Sequence, residues 1–546
     1  MAAARSRRKP PSQAPQAMAD RGWLPRWCTC WGVLVLALLV SGCSLPPLQG
    51  RSVSSAATPH STQDTLLGRK LEQLRQQAQP RPLDSGIYPL DNPQEAFAAR
   101  MLLARTAQVT LDVQYYIWRA DTSGLLLLQA LWQAADRGVR VRLLLDDGGT
   151  AGLDSILHTL NQHPHIEVRL FNPLVLRWPK TLGYLLDFAR TNRRMHNKSF
   201  TADSQASIVG GRNIGNEYFG NPQGVLFADL DVLTTGPVVG EIAQDFDRYW
   251  ASLSAYPIER IVTVPYHMDM PTLHARMQAA AASEQGQRYL RALEHGDLAR
   301  WLQQEQQPWL WAPTHLISDN PAKALGQASD QQLIGAQLAR AIGQPRRQVD
   351  LVSPYFVPTQ AGVQAIQQLR AQGIQVRVLT NSLEATDVSL VHAGYARYRP
   401  QLLELGVQLY ELRRQAPSEL PRPLHERIRR RWLLASSGSS LHAKTFAIDG
   451  KRAFVGSLNF DPRSVLFNTE MGLLIESPAL AEQIHNAFEQ AIPWRSYRIQ
   501  LGEDGRLRWH SGPPQAEHIF HSEPNSRWYK RLGLWLLQHL PIEPLL

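Results

Sequence analysis

Two copies of the pattern HxKxxxxD stand far apart in the chain, and both combine residue types that suit phosphate chemistry. The copies comprise His196, Lys198 and Asp203, and His442, Lys444 and Asp449. A glycine follows each histidine by 14 residues and an asparagine follows it by 17, and these are Gly210 with Asn213 and Gly456 with Asn459. The probability that a chain of this length contains one such pattern by accident is roughly a few per cent. Two copies with matching glycine and asparagine spacings therefore indicate a functional site.

The alternation of histidine and lysine predicts how these side chains are presented. Residues two apart in an extended strand share a face, so the histidine and lysine of each copy point the same way. A duplication that merely copied structural residues is the weaker explanation, since histidine and lysine are poor core residues. If the copies meet, two ammonium groups and the amides of Asn213 and Asn459 suit a phosphate. Asp203 and Asp449 count with the catalytic motif, but we expect them to brace it by pairing with nearby groups.

The motifs lie inside a larger internal repeat. Residues 109–113 and 137–145 match residues 349–353 and 373–379. Each half alternates short β-branched runs with amphipathic helical windows, the pattern of an α/β sheet with helices on its faces. The sequence therefore predicts two α/β domains of similar construction.

The predicted organisation follows from the repeat and from shifts in composition. It comprises a signal or anchor segment at 1–43, a Ser-, Gln- and Pro-rich tether at 44–83, a first domain at 84–265, a helical connector at 266–312, a second domain at 313–500 and a tail at 501–546. The stretch 527–540 in the tail has a basic start and an apolar helical face. It either lies in a membrane interface or packs on the second repeat.

Composition narrows the class of protein and of partner. The chain has 546 residues, 44% apolar and 19% charged, which fits a globular protein of two or more domains. Its net charge of +10 favours nucleic acid or an anionic lipid surface as the partner. The three cysteines all lie within the first 43 residues, which excludes a disulfide framework or cysteine zinc site from the body. We expect no metal and no cofactor, since the lysines and asparagines supply what a divalent ion supplies elsewhere.

The two motifs, with their glycines and asparagines, resemble the phospholipase D superfamily over both repeats. The resemblance implies two α/β/α sandwich domains, each with a mixed β-sheet, related by a pseudo-two-fold axis around one active site. It also implies that one histidine attacks phosphorus while the other protonates the leaving oxygen, through a phosphohistidine intermediate. By family habit His196 is the nucleophile and His442 the acid, although the near symmetry of the motifs leaves this open.

The resemblance further implies carboxylates that orient the histidines and fix their tautomers. Glu470 occupies the family's position for His442. Alignment of the two repeats places Asp229 opposite Glu470, which leaves Asp229 for His196. Asp229 stands where the family usually has a glutamate, and Asp231 is its competitor.

Other segments resemble bacterial cardiolipin synthases, and the C type most closely. They are residues 355–359, 380–382, 391–396 and 456–464, together with 194–198 and 210–215. The C type is associated with moving a phosphatidyl group from phosphatidylethanolamine to phosphatidylglycerol. The resemblance thus implies a phosphatidyltransferase that forms cardiolipin on phosphatidylglycerol, with phosphatidylethanolamine or phosphatidylglycerol as donor. A hydrolase or nuclease of the same superfamily is the alternative, and two intact motifs argue against a non-catalytic lipid-binding scaffold.

The expected partners are these phospholipids and a membrane surface. Nucleic acid is disfavoured, because no dense basic array with interleaved aromatic residues flanks either motif. Residues 413–431, rich in Pro and Arg, are interpreted as a basic lid or as a solvated loop. His392 and Tyr395, one helical turn apart, line an acceptor pocket or a packed helix face.

The N-terminus predicts membrane attachment. A basic start precedes the apolar run 31–40, and small residues lead to Cys43, which resembles a bacterial lipoprotein signal cleaved before a lipidated cysteine. The alternative is an uncleaved transmembrane anchor, because residues 27–50 carry no charge and are long enough to span a bilayer.

If the lipoprotein interpretation holds, Cys43 carries lipid in bacterial membranes. Labelled palmitate is then expected to enter the wild-type protein and not the Cys43→Ser variant. Palmitate in neither protein, with residues 1–42 retained in the membrane fraction, contradicts lipidation and favours the anchor.

Overall fold

The structure, a computed structural model, describes residues 45–177, 179–220, 226–263, 268–295, 309–414, 439–512 and 517–540. The chain divides into two units, Met1–Pro46 and Pro47–Leu546, and the second contains both sequence repeats. The predicted signal or anchor segment with Cys43 lies outside the described residues, as does most of 413–431. In the ranges that are described, no helix is both long and apolar enough to cross a membrane.

Twenty strands can be followed through the described residues, and eighteen of them form one continuous sheet. They are β1 Asp84–Leu90, β2 Thr110–Tyr115, β3 Arg140–Asp146, β4 Ile166–Phe171, β5 Ser199–Ala202, β6 Ala206–Gly210, β7 Leu226–Ala228, β8 Asp231–Thr235, β9 Ala255–Pro257, β10 Leu310–Ser318, β11 Gln348–Val352, β12 Gln375–Asn381, β13 Gln408–Leu412, β14 Ser439–Leu441, β15 Lys444–Ile448, β16 Arg452–Gly456, β17 Met471–Ile475, β18 Ser496–Leu501, β19 Leu507–Ser511 and β20 His518–Phe520. β7 and β14 stand apart and pair with each other in parallel.

The sheet displays the internal repeat directly. The strand order β4-β3-β2-β5-β6-β8-β1 recurs as β13-β12-β11-β15-β16-β17-β10. Each half combines parallel pairs, β2–β3–β4 or β11–β12–β13, with antiparallel ones, so each sheet is mixed. β1 pairs antiparallel with its counterpart β10 and joins the halves, as a two-fold relation requires. The predicted pair of α/β domains with mixed sheets is confirmed.

Helices cover the sheet and enclose its cores. They are α1 Leu66–Ala78, α2 Pro93–Thr106, α3 Thr122–Asp136, α4 Asp154–Leu160, α5 Lys180–Leu186, α6 Phe188–Thr191, α7 Pro237–Trp250, α8 Met270–Ala282, α9 Glu284–His295, α10 Ile334–Ile342, α11 Thr359–Ala371, α12 Ser389–Ala396, α13 Arg399–Glu404, α14 Pro462–Leu466, α15 Pro478–Gln490, α16 Ile492–Arg495 and α17 Trp528–Gln538. Along β16, Ala453 and Val455 join one core while Phe454 joins another, so both faces of the second sheet are covered. The first of these cores also contains Ile87 and Val232 of the first half, and the halves therefore share apolar packing.

Each HxKxxxxD motif ends in a tight turn, β5–β6 or β15–β16, that its aspartate holds in place. The Asp203 carboxylate accepts the backbone N–H groups of residues 108–110 at 2.8–3.2 Å, and Asp449 accepts those of residues 346–348 at 2.7–3.1 Å. Both aspartates have left-handed backbone, with φ of 51° and 56°. The carboxylates thus fasten each hairpin to the start of the neighbouring strand, β2 or β11.

The tether predicted at 44–83 is wrong for the described residues. Leu67, Leu71 and Leu74 form a buried stripe on α1, which Thr65 caps by accepting the N–H of Gly68. Further upstream, the chain lies against the first domain, where Nη1 of Arg142 donates to the carbonyl of Ser54 at 3.0 Å. The prediction followed the Ser- and Gln-rich composition and overlooked leucines that recur with the period of an amphipathic helix.

Two other predicted boundaries also move. Helices α8 and α9, assigned to a connector, pack on the first domain, and Tyr289 of α9 stacks on Phe97 with ring centroids 4.5 Å apart. The second domain begins with β10 and does not end near residue 500, because β19 and β20 extend its sheet. In α17 the side chain of Leu534 is buried in the second domain, while Trp528, Leu532, Trp535 and Leu536 remain exposed.

Candidate active site

The two histidine segments leave their own sheets and hydrogen-bond to the opposite repeat. The backbone N–H of His196 donates to the carbonyl of Thr469 at 2.9 Å, and the N–H of Thr469 donates to the carbonyl of Arg194 at 2.9 Å. In the other half, the N–H of His442 donates to the carbonyl of Ala228 at 2.8 Å, beside the β7–β14 pair. Each histidine is therefore positioned by backbone from both repeats.

The carboxylates that orient the histidines also cross between repeats. Nδ1 of His196 lies 2.8 Å from Oε2 of Glu470, and Nδ1 of His442 lies 2.5 Å from Oδ2 of Asp229. The prediction that Glu470 orients His442 is wrong, and so is the pairing of Asp229 with His196. The physical reason is local: each carboxylate directly follows the residue whose carbonyl binds the opposite histidine segment.

Further contacts hold Glu470, and the competitor Asp231 is engaged elsewhere. Oγ of Ser457 donates to Oε2 of Glu470 at 2.5 Å, and the backbone N–H of Glu470 donates to Asp319 at 2.9 Å. Asp231 accepts from Nη2 of the buried Arg100 at 2.8 Å. Asp231 is therefore part of an ion pair and not the partner of a histidine.

One cavity of about 630 Å³ receives both histidines. Asn213 and Asn459 line the same cavity, and Asp203 and Asp449, at the far ends of the hairpins, do not. A second cavity, of about 590 Å³ beside α1, contains none of the predicted site residues. The described residues hold no group of three or more His, Cys, Asp or Glu side chains placed to bind a metal ion.

Lys198 and Lys444 are buried beside the histidines. Nζ of each lysine donates to the backbone carbonyl of the histidine two residues earlier. Burial lowers the pKa of Lys198 to about 7 and that of Lys444 to about 8, although Glu470 and Asp229 act in the opposite direction. When these ammonium groups are charged, little water screens them, so an anionic phosphate is attracted strongly and in turn favours their charged form.

Both histidines favour the neutral form. Burial, followed by the charge of Lys198, lowers the pKa of His196 well below its usual value of 6.5. Burial, followed by the charge of Lys444, lowers the pKa of His442 as well. Because Nδ1 of each ring faces a carboxylate, Nε2 is the nitrogen left for chemistry in the cavity.

The two carboxylates differ in their affinity for a proton. Burial raises the pKa of Glu470 to about 7. Burial also acts to raise the pKa of Asp229, but His442 and then Lys444 outweigh it and hold that pKa well below its usual range. Asp229 therefore stays ionised and favours a proton on His442 more than Glu470 favours one on His196.

The two asparagines occupy corresponding places but have different partners. Oδ1 of Asn213 accepts the backbone N–H of Ile117 at 3.2 Å, and its Nδ2 donates to the hydroxyl of Tyr218 at 3.1 Å. Oδ1 of Asn459 is buried without a hydrogen-bond partner among the described residues. The Oδ1 atom of Asn459 can consequently accept a hydrogen bond from a bound molecule, whereas that of Asn213 is already engaged.

Two aromatic residues outside the HxKxxxxD motifs contact the histidines. The ring centroids of Tyr116 and His196 are 5.0 Å apart, and those of Tyr218 and His442 are 5.2 Å apart, both edge to face. Tyr116 directly follows β2. Its position at the carboxyl end of a parallel strand, where ligands commonly bind, could have identified it from the sequence as a site residue.

His392 and Tyr395 were expected to line either an acceptor pocket or a packed helix face, and they lie in a packed helix face. Both are buried, and Nε2 of His392 lies 2.6 Å from Nη2 of Arg399. The residues of this region that line the cavity are Asp387, Val388, Leu390 and Val391.

Comparison with known proteins gives consistent results. The family model described as "Cardiolipin synthase, PLD-like domain" matches residues 102–250 and 338–492. Cardiolipin synthase C of Escherichia coli (strain K12) is 48% identical over 467 residues, covering 85% of this chain and 97% of that protein. An uncharacterized protein of Helicobacter pylori is 32% identical over 79% of this chain and 81% of its own length. The crystal structure of phosphatidylserine synthase from Haemophilus influenzae Rd KW20 has a similar fold, with a TM-score of 0.54, 13% identity, and coverage of 87% of this chain and 99% of that one.

The lowered lysine pKa values predict an unusual pH profile for phosphodiester cleavage. If Lys198 and Lys444 bind the phosphate in their charged forms, kcat/KM is expected to fall as pH rises through about 7 to 8, far below the usual range of lysine. At low pH, kcat/KM is expected to fall only well below the usual histidine pKa of 6.5, where His196 takes up a proton. The measurement is kcat/KM against pH with the water-soluble diester bis(4-nitrophenyl) phosphate. A rate that stays level up to about pH 10 contradicts the role of the lysines.

Proposed function

Because the chain belongs to the cardiolipin synthase family of phospholipase D-like enzymes, we propose that it transfers a phosphatidyl group to phosphatidylglycerol and so forms cardiolipin. The proposed donor is phosphatidylethanolamine or a second phosphatidylglycerol. The observation that carries the proposal is the pairing of His196 with Glu470 and of His442 with Asp229 at one cavity. Two histidines with different charge environments suit an attack and a proton transfer at one phosphorus atom.

In the first step, Nε2 of one histidine attacks the donor phosphorus and a P–N bond forms. The P–O bond to the headgroup breaks, and the departing oxygen takes a proton from the other histidine. We assign the attack to His196, whose pKa is held far below 6.5 and whose ring is therefore neutral. We assign the proton transfer to His442, because the ionised Asp229 acts to raise its pKa and the anionic phosphate of a bound donor would raise it further. Lys198 and Lys444, with the side-chain N–H of Asn459, would stabilise the charge on the non-bridging oxygens.

In the second step, a hydroxyl of phosphatidylglycerol returns its proton to His442 and attacks the same phosphorus. The new P–O bond completes cardiolipin, and the P–N bond to His196 breaks. Water competes for the intermediate at about 55 M, so transfer prevails only if the acceptor hydroxyl is held in position and water is excluded. Two in-line displacements would leave the configuration at phosphorus unchanged.

The substrates reside in a bilayer, and we propose that the enzyme works at its surface. The exposed face of α17 offers Trp528, Leu532, Trp535 and Leu536 to a membrane interface, and α17 packs beside α12, which contributes Leu390 and Val391 to the cavity wall. Arg527 stands directly before α17, and Lys530 and Arg531 lie in its first turn. Their positive charges would attract anionic lipid headgroups. Lipidation at Cys43 remains the proposed anchor.

Full-length protein added to vesicles of phosphatidylethanolamine and phosphatidylglycerol is expected to give cardiolipin and free ethanolamine, with phosphatidic acid as a minor product. His196→Ala and His442→Ala should each lower the rate by at least ~10³-fold, because attack and proton transfer depend on both rings. His315→Ala is the matched control, since that histidine is 63% exposed and lies outside the cavity. Mass spectrometry of the lipid products is the measurement. Dominant phosphatidic acid in the presence of abundant phosphatidylglycerol would mean a hydrolase, and cleavage of nucleic acid alone would exclude the lipid substrate.

A further inference from the structure

The two repeats supply nearly the same catalytic groups, but one pair of corresponding residues on the cavity wall carries opposite charges. Asn213 and Asn459 occupy corresponding positions, and four residues later stand Glu217 and Arg463. Both of these side chains line the cavity that contains the histidines. A pseudo-two-fold relation would make the two sides equivalent, so this difference marks the sides as serving different parts of the substrates.

Arg463 belongs to the side of the cavity that holds His196. Its Nη1 donates to Oδ1 of Asn192 at 2.6 Å, and its Nη2 donates to the carbonyl of Asn192 at 2.9 Å. Asn192 lies four residues before His196 in the segment that leads to it. The guanidinium is thus fixed by the first repeat although it comes from the second.

Glu217 belongs to the side that holds His442. It precedes Tyr218, whose ring meets that of His442 edge to face. Oε1 of Glu217 lies 3.4 Å from Nε of Arg119, and these side chains are 28% and 46% exposed. An ion pair this long and this open to water opens readily, so either partner is available to a ligand.

A second carboxylate approaches the same side from the other repeat. Asp387 lines the cavity, is exposed, and accepts a hydrogen bond from the hydroxyl of Tyr355 at 2.7 Å. It also acts electrostatically on Lys444, two residues after His442. The His442 side therefore presents two carboxylates and the Arg119 guanidinium, while Arg463 lies on the His196 side. Asp461 lines the cavity as well, but it is buried and its Oδ1 accepts the backbone N–H of Ser464 at 2.7 Å, which leaves Glu217 and Asp387 as the carboxylates open to a ligand.

The chemistry requires one region that accepts two headgroups in turn. In an in-line displacement the leaving oxygen departs on the side opposite the nucleophile, next to the group that protonates it. The entering hydroxyl must later approach from that same side. With phosphatidylethanolamine as donor, the region first holds a cationic ethanolamine and then the anionic phosphate of phosphatidylglycerol. A carboxylate and a guanidinium side by side provide one partner for each.

We propose that Arg119, Glu217 and Asp387 form the headgroup subsite of this enzyme, on the His442 side of the cavity. Glu217 and Asp387 bind the ammonium of the leaving ethanolamine, and Arg119 binds the phosphate of the incoming phosphatidylglycerol. The leaving group then departs beside His442, which makes His442 the proton donor and His196 the nucleophile. This inference rests on the proposed function and adds the residues that select donor and acceptor.

If this subsite exists, substitutions of its carboxylate and of its guanidinium should affect different steps of the reaction. In vesicles of phosphatidylethanolamine and phosphatidylglycerol, Glu217→Gln should lower ethanolamine release by roughly tenfold or more, because a charged contact to the ammonium is lost. In vesicles of phosphatidylglycerol alone, the same variant should form cardiolipin within about twofold of the wild-type rate, since the leaving glycerol is uncharged. Arg119→Gln should preserve ethanolamine release but shift the product from cardiolipin towards phosphatidic acid by roughly tenfold.

Glu284→Gln is the matched control, because Glu284 forms an exposed ion pair with Arg288 at 2.8 Å and does not line the cavity. It should change neither reaction. A Glu217→Gln variant that uses both donors equally well, or loses both equally, overturns the subsite, as does an Arg119→Gln variant with unchanged products. A wild-type enzyme that forms no cardiolipin overturns the proposed function itself.

The position of the covalent intermediate gives a second readout. Alkaline quenching during turnover followed by peptide mass spectrometry should place the phosphatidyl adduct on His196. An adduct on His442 overturns the assignment of the headgroup side, even if the vesicle assays show cardiolipin formation.

Discussion

The site depends on two short backbone pairings that cross between the repeats. The segment that ends in His196 is held by Thr469, and the segment that leads from His442 is held by Ala228. These hydrogen bonds bring each histidine within reach of the carboxylate that follows its backbone partner, and neither repeat alone can complete a histidine–carboxylate pair. The β1–β10 junction and the shared apolar core serve the same end, because a small shift between the halves would separate both pairs at once.

Burial gives these groups their chemical character. Two lysines enclosed with little water have lowered pKa values and, in their charged form, attract phosphate more strongly than exposed lysines would. The same burial keeps His196 neutral, while the ionised Asp229 favours a proton on His442. The two halves therefore share a backbone plan but differ in proton affinity, and the unlike charges of Glu217 and Arg463 extend that difference along the cavity wall. A symmetric frame carrying unsymmetric side chains suits a reaction in which the two histidines have different tasks.

The repeat, the mixed α/β sheets and the motif residues followed from sequence because each rests on a local pattern: period-two strands, amphipathic helices and fixed spacings. The crosswise histidine–carboxylate pairing did not, since it depends on how two distant segments approach, and no spacing records that. The predicted tether failed for a different reason, as its polar composition outweighed the regular spacing of Leu67, Leu71 and Leu74. Arg463 and Glu217 were also missed, because their significance appears only when corresponding positions are compared around one cavity.

The crosswise pairing can be observed directly by NMR of the full-length protein labelled with ¹⁵N-histidine. A ring N–H that donates to a buried carboxylate exchanges slowly and resonates downfield, and the signals of His196 and His442 can each be identified by their loss in the corresponding alanine variant. Glu470→Gln is predicted to shift the His196 signal strongly while the His442 signal stays near its wild-type position. Loss or displacement of the His442 signal in Glu470→Gln, with that of His196 unchanged, would contradict the composite site.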